Sequence, residues 1–420
     1  MKIALIHGKF WNSWEALGLG YLAAYTRKHL PGVDLRFFQG CFDSDEDILA
    51  GSVDADVVGF SCTSPAMAHS LSLARALKAQ NPKAVTVFGG YHPSAVPEET
   101  AALAGVDCVV VGPGEEAFLK VLAGDRSRVI RAMPRGIPKV WPDRETIKSE
   151  RNIEVAQRDT GKRITSFQSR RGCPFSCKFC ADGQKVMYGR QISDREIGDL
   201  LDEIETVTAR YQLDYFKFND GTFNVRPELV RYFCTQKVRR GNRTPWFANL
   251  HAHRALTPEP LFESLASAAC DTVGIGIESG SAKVLKAIGK GTTPAMVRRA
   301  VALAKRMGLR VRGYFCIGTP TETAEDLRRT EAFAEELNLD EYGFSILCPY
   351  PGSLYYAERR NDFAGIDWSE TDEYRNDFWR TANLSNEDLK GWQDRLVAKF
   401  AQHLTQRQRD APVKEPARCS

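Results

Sequence analysis

Short β-branched runs that end in glycine or serine recur along this chain, with helix-like segments between them. In the first 122 residues the runs are 2–6 (KIALI), 33–38 (VDLRFF), 55–61 (ADVVGFS), 84–90 (AVTVFGG) and 106–112 (VDCVVVG). The intervening segments, such as 15–30 and 66–80, repeat apolar residues three and four apart, the spacing of one helix face. This alternation predicts a parallel, doubly wound (Rossmann-like) sheet, because parallel neighbours need a crossover between them. Such sheets bind ligands beyond the carboxyl ends of their strands. Small residues fall at those ends: Ser61, Thr63, Gly89, Gly90 and Gly112.

The pattern breaks over 124–163, a stretch rich in Arg, Lys and Pro that reads as a linker crossing a surface. It resumes with strand candidates at 164–169, 213–218, 245–251, 271–278, 309–318 and 341–347. Six β/α units in sequence predict an open, partial (β/α)6 barrel, with its chemistry at the strand carboxyl ends. The helix at 193–211 opens S-D-R-E, which predicts a capping box with Ser193 as N-cap and Glu196 at N3. Residues 351–420 hold Trp368, Tyr374, Phe378, Trp379, Trp392 and Phe400. They predict a small helical cap followed by a disordered tail from about 405. Its aromatics either build the cap's own core or face a substrate. The expected fold class is therefore α/β, divided as 1–123, 124–163, 164–350 and 351–420.

A chain of 420 residues is too long for one ordinary core. Its net charge of +4 is too small for a dedicated nucleic-acid binder, which concentrates basic residues on one face. No run approaches the ~20 apolar residues of a membrane span, and the opening residues lack a signal-peptide core. A cytoplasmic location is expected, where most of the eleven cysteines stay reduced. Eight of these are scattered (Cys41, Cys62, Cys108, Cys234, Cys270, Cys316, Cys348 and Cys419), several in apolar runs that suit small core residues.

The other three are clustered. Cys173, Cys177 and Cys180 lie in SRRGCPFSCKFCADG (169–183), spaced C-x3-C-x2-C after the first barrel strand. Three thiolates can hold zinc with a water as fourth ligand. They can also hold three irons of a [4Fe–4S] cluster and leave the fourth iron open. No histidine lies within the loop to complete a zinc set.

The spacing, its place in the barrel, and Phe179 just before the last cysteine resemble the signature of the radical S-adenosylmethionine (SAM) enzymes. The resemblance implies that the open iron takes the amino and carboxylate groups of SAM. One electron from the cluster then yields a radical that abstracts a hydrogen atom from an unactivated C–H. On that view the missing fourth cysteine is the place of SAM. GIGIESGS (274–281) resembles the family's fourth-strand motif, which puts Glu278 and Ser279 near the SAM ribose and carboxylate. GYFCIGTPTET (313–323) resembles the fifth-strand motif, where Gly318 permits close approach to the cofactor or only makes a turn. Asp220, in FNDGTF, either points toward the same mouth or caps a helix. Arg312 either contacts a carboxylate or is a solvated strand residue.

A doubly wound domain ahead of this barrel resembles the cobalamin-binding radical SAM class, through 17–27, 54–78, 87–99 and 106–118. Ser61, Thr63, Gly89, Gly90 and Gly112 would leave a slot for the cobalamin nucleotide tail, and His92 either touches the cofactor or is a solvated loop residue. The D-x-H-x-x-G motif that supplies a lower axial ligand is missing. His7 stands at the strand end without the Asp and Gly around it. The resemblance then implies base-off binding without a histidine ligand, with Trp11 and Trp14 against the lower face of cobalt or in ordinary packing. Glu115 and Glu116 open a helix, where carboxylates suit its dipole, and carry no assigned chemistry. The implied activity is methyl transfer from methylcobalamin to an unactivated carbon, or a phosphinate phosphorus, of a small-molecule or peptide intermediate. A flavodoxin- or ferredoxin-type donor would supply electrons. A non-methylating member of the class (cyclase, ring contraction, oxidoreductase) is the alternative.

Overall fold

The computed structural model describes residues 1–10, 15–133, 136–181 and 183–410. Trp11, Trp14 and Cys419 lie outside the described residues.

The first sheet contains β1 (Lys2–His7), β2 (Asp34–Gln39), β3 (Val57–Ser61), β4 (Val85–Gly89), β5 (Cys108–Val111) and β6 (Val129–Arg131). All its pairs are parallel, in the order β2-β1-β3-β4-β5-β6. The winding reverses between β1 and β3, so a crevice opens at their carboxyl ends. In register there, His7 faces Ser61 and Ser61 faces Gly89. Helices cover both faces of the sheet. Ile3, Leu5 and Val57 pack against Leu19, Phe118 and Val121 on one side. Ala4, Ile6, Val58 and Phe60 pack against Leu73 and Leu77 on the other. Burial on both faces is why these strands read as continuous apolar runs.

β6 lies inside the predicted linker. Its three residues are too few to show a pattern among arginines, yet Val129–Arg131 adds the sixth strand beside β5. The same stretch holds the helix Ser149–Thr160, whose Ile153 is buried in the barrel core.

The second sheet contains β7 (Ile164–Phe167), β10 (Tyr215–Phe218), β11 (Trp246–Leu250), β12 (Cys270–Glu278), β13 (Arg310–Ile317) and β14 (Glu341–Ile346). Between the first two, β8 (Arg170–Arg171) and β9 (Ser193–Asp194) form a two-residue antiparallel ribbon. The six long strands run parallel and follow one another in chain order, leaving β7 and β14 as edges of a partial barrel. Phe216, Phe218, Phe223, Phe233 and Trp246 pack ring on ring in its core. Each such buried side chain contributes about 1.5–3 kcal/mol.

Two expectations need correction. Ser193 is not an N-cap. It pairs with Arg171 in β9, and the helix is Ile197–Tyr211 with Glu196 as N-cap, accepting from the N–H groups of Gly198 and Asp199 at 3.1 and 3.3 Å. Asp194 holds this segment extended by pairing with Arg170 at 2.9 Å and Arg226 at 2.5 Å. The chain also stays with the fold beyond 405. Leu404 bridges to Tyr342, and Gln408 Oε1 accepts the N–H of Phe344 at 2.8 Å. An edge strand leaves backbone donors that need partners, and this segment provides them. The cap is the helix Asn386–Lys399 together with an aromatic core of Phe363, Trp368, Phe378 and Trp379. Among the described residues no helix is long and apolar enough to cross a membrane.

Candidate active site

Asp220 stands at the end of β10, fully buried, and accepts from the N–H groups of Ser169 at 2.9 Å and Arg170 at 3.1 Å and from the Ser169 hydroxyl. It fixes the turn that launches the cysteine loop rather than capping a helix. Burial pushes its carboxyl up to about 6. Gly172 follows with φ +89°, and a Cβ there would lie 1.9 Å from the Gln191 carbonyl oxygen, so the position admits only glycine. The loop is pinned at both ends: Cys173 N–H donates to Gly189 C=O at 3.2 Å, and Lys178 N–H to Ile288 C=O at 2.9 Å.

Cys173, Cys177 and Cys180 are not in disulfides; the first two are buried and the third half-buried. Phe179 packs on Val284, Leu285 and Ile288 of the helix Ala282–Ala287 and the turn after it. That helix leads to Lys290, whose Nζ lies 2.7 Å from Glu278 Oε1, with both side chains buried. Burial opposes the charge of Lys290, but Glu278 and then Cys177 raise its pKa overall, with Cys180 adding to them. Two of the three thiols and the Lys290–Glu278 pair are therefore within electrostatic reach of one another, and the field of Cys173 reaches Cys177.

Glu278 has φ +63° beside a register shift in β12. A non-glycine residue held there costs about 1–3 kcal/mol, a strain that clusters at functional sites. Gly276 makes room for the pair: its Cβ would lie 2.6 Å from Glu278 Oε1 and 2.7 Å from Lys290 Nζ. Gly274 does the same for Asn249, whose Oδ1 would be 2.3 Å away. The G-I-G-I-E sequence is thus a strand whose inner face is left bare for its neighbours.

Three other predicted residues have partners within the protein. Ser279 is fully buried and shares a hydrogen bond with Thr330 Oγ1 at 2.9 Å, bracing the helix Ala324–Leu337. Gly318, at φ +85°, does admit a close approach, but from the C-terminal cap: Trp379 Nε1 donates to its carbonyl at 2.6 Å. Arg312 lies early in β13, paired with Glu341 at 2.7 Å and resting on the Phe247 ring, so its carboxylate is the protein's own.

Lys290 and His251 escaped the sequence analysis. His251 follows β11, buried. Its ring stacks on Phe175 of the cysteine loop at 3.9 Å between centroids and 5° between planes. Its Nε2 lies 3.1 Å from the Lys290 carbonyl oxygen, and its Nδ1 accepts from His253 N–H at 3.2 Å. Burial, then the Lys290 charge, pushes it down to about 3.

In the first domain, Gly90 has φ +93°, and a Cβ there would meet the Cys62 backbone at 2.9 Å. His7 Nδ1 and Thr63 Oγ1 are buried at the adjoining strand ends with no hydrogen-bond partner among the described residues. His92 is half-buried rather than solvated, with Nδ1 3.0 Å from Ser64 Oγ; burial pushes it down to about 4. Gly112 N–H donates to Ser94 Oγ at 3.0 Å, which in turn donates to Met187 Sδ at 3.1 Å. Met187 belongs to the helix Gly183–Tyr188, just after the cysteine loop. The short helix Tyr91–Ala95, leading out of Gly90, packs on it: a Cβ on Gly183 would lie 1.9 Å from the Tyr91 ring. Glu115 is not merely a helix-opening residue, since it is buried against Arg171 at 2.6 Å. Nearby, Glu15 and Glu203 flank Arg144 at 2.7 and 3.2 Å. The carboxyl ends of the first sheet and the mouth of the barrel therefore meet.

The residues present fit the groups the motifs imply. Three reduced thiols on one pinned loop form an incomplete, soft donor set suited to a cluster with an open iron. The orphaned His7 and Thr63 atoms beside side-chain-free glycines suit a polar ligand in the crevice. Among the described residues no set of three His, Cys, Asp or Glu side chains is already gathered at metal-binding separations, so the fit rests on donor chemistry and placement.

Comparison with known proteins agrees. Residues 4–122 match the model of the B12 binding domain, and residues 168–334 that of the radical SAM superfamily. An uncharacterized methyltransferase of Pyrococcus horikoshii is 28% identical over 84% of this chain and 80% of its own. The anaerobic magnesium-protoporphyrin IX monomethyl ester cyclase of Rubrivivax gelatinosus is 26% identical over 85% of this chain and 70% of its own. The radical SAM methyltransferase TsrM of Kitasatospora setae, solved with cobalamin and a [4Fe–4S] cluster, superposes with a TM-score of 0.70 at 16% identity, over 96% of this chain and 88% of that one. With both domains present in one chain and in this order, the protein belongs to the radical SAM enzymes that carry an amino-terminal B12-binding domain.

Proposed function

We propose that the protein is a cobalamin-dependent radical SAM methyltransferase acting on an unactivated carbon, or a phosphinate phosphorus, of a small-molecule or peptide intermediate. The observation that carries the reading is the buried Lys290–Glu278 pair between the cysteine loop and the end of β12. When bound, the cluster supplies the electron that cleaves SAM, and cobalamin supplies the methyl group. Cys173, Cys177 and Cys180 hold the cluster. Lys290 and Glu278 offer a cation and an anion to the carboxylate and ammonium of the methionine end of SAM. Phe179, Asp220, Ser279 and Gly318 shape this site by bracing its backbone, and Arg312 lines the barrel below it. Ser61, Thr63, Gly89, Gly90, His92 and Gly112 would form the cobalamin slot, and the missing D-x-H-x-x-G motif favours base-off binding without a histidine ligand. The working divisions are 1–123, 164–350 and 351–420, joined by 124–163. A flavodoxin- or ferredoxin-type donor in the reducing cytoplasm completes the system.

The cyclase among the relatives keeps a non-methylating reaction as the second reading. Anaerobic reconstitution with iron, sulfide and hydroxocobalamin, followed by SAM, reductant and candidate substrates, separates them. Both 5′-deoxyadenosine and S-adenosylhomocysteine are expected. 5′-Deoxyadenosine alone with a substrate that turns over would favour the second reading, and failure to retain cobalamin would overturn both.

A further inference from the structure

The His251 side chain touches both the cysteine loop and the backbone of Lys290. Its flat face lies on Phe175, which stands between Cys173 and Cys177, nearly parallel to that ring. Its edge does something different. Because Nδ1 accepts the His253 N–H, the ring proton sits on Nε2 and is donated to the Lys290 carbonyl. The backbone that carries the ring is fixed as well. Asn224, fully buried, holds the His251 backbone at both ends, accepting its N–H at 2.8 Å and donating to its C=O at 3.1 Å.

A phenylalanine would supply the face without the donor, and a glutamine the donor without the face. Histidine supplies both from the rigid end of β11. The backbone of the loop carrying the thiols is also held, through Gly189 and Ile288 and through Lys178 C=O, which accepts the Leu354 N–H at 2.9 Å. His251 ties it to the end of β11, the strand next to β12.

We propose that His251 is a positioning residue that fixes the cluster loop through its ring face and the SAM-facing Lys290 through its Nε2–H. This rests on the cluster and SAM assignments above. The two edges of the ring are then separable. Stacking governs the loop, and the hydrogen bond governs where Lys290 Nζ stands against Glu278.

The test uses the full-length chain, reconstituted anaerobically, with His251→Phe, His251→Gln and Phe175→Leu beside the wild type. Iron content, cluster electron paramagnetic resonance and SAM affinity are read, with circular dichroism and cobalamin uptake as controls of folding. His251→Phe is expected to keep wild-type iron and spectrum but bind SAM about tenfold more weakly, the loss of one hydrogen bond. His251→Gln and Phe175→Leu are expected to shift the cluster spectrum and lose iron faster to a chelator, while their loaded fraction binds SAM as the wild type does. If His251→Phe and His251→Gln change the same property, or neither changes anything, the proposal is overturned. A variant that misfolds leaves Phe175→Leu to decide the stacking arm, since it alters the loop and not β11. Failure of the wild type itself to take up a cluster would instead sink the reading of the site.

Discussion

The Arg171 guanidinium and the Glu115 carboxylate meet at 2.6 Å, buried, with Arg171 also lying over the rings of Tyr21 and Tyr188. Arg171 belongs to β8, two residues before Cys173; Glu115 opens a helix of the first domain. Breaking such a pair from one side strands a charge, which costs about 3–5 kcal/mol. Glu115→Gln should therefore lower the urea midpoint markedly, and replacing both residues with apolar ones of similar size should cost much less. A loss in the double variant equal to the sum of the two single-variant losses would show that the pair is not coupled.

Gly183→Ala tests the contact between the two short helices. The added methyl would sit 1.9 Å from the Tyr91 ring, and overpacking of this kind costs about 1–3 kcal/mol. A lower melting temperature and weaker cobalamin retention are expected. Adding Tyr91→Ala should restore both, and no recovery in the double variant would place the strain elsewhere.

Glu322 accepts the N–H groups of Gly318 and Thr319 at 2.6 and 3.1 Å, and burial pushes its carboxyl up from 4.5 to about 7. Between pH 4.5 and 7 the unfolded chain releases this proton while the folded chain keeps it. The group thus takes stability away as pH rises through that window, about 3 kcal/mol in all. Glu322→Gln keeps the acceptor and cannot ionise. The difference in unfolding free energy between variant and wild type should grow across that window and level off above it. A flat difference from pH 4.5 to 8 would refute the shift.

Gln408→Ala removes the acceptor of the Phe344 N–H in the edge strand β14. A stranded buried donor costs about 1–3 kcal/mol, to be read as a fall in melting temperature. Faster hydrogen exchange at the Phe344 amide should accompany it, and an unchanged exchange rate would mean that another acceptor takes over.

Both sheets were legible because strands buried on two faces must be apolar along their whole length, and such runs survive without context. The cysteine loop was legible because its three thiols are close in sequence. What escaped depends on partners distant in sequence. Lys290 looks like any basic residue after a short helix until β12 places Glu278 beside it. His251 reads as a strand-end residue until the loop of Phe175 folds over it. Glu115 obeys the helix-dipole rule locally and meets Arg171 only when the domains dock. Ser193 failed in the opposite sense, since a well-formed local signal lost to the pairing of Asp194 with Arg170 and Arg226.

The placement of Arg171 has a thermodynamic corollary. One short segment, 170–188, carries the domain interface at one end and the helix under Tyr91 at the other, with the three thiols between. Any event that orders this segment also tightens the grip of one domain on the other, and reciprocity demands that a docked first domain raise the affinity of the loop for its metal. Oxidative loss of iron would then be felt as a loosening of the whole molecule, visible as new protease cuts near 124–163 and as a drop in cobalamin retention.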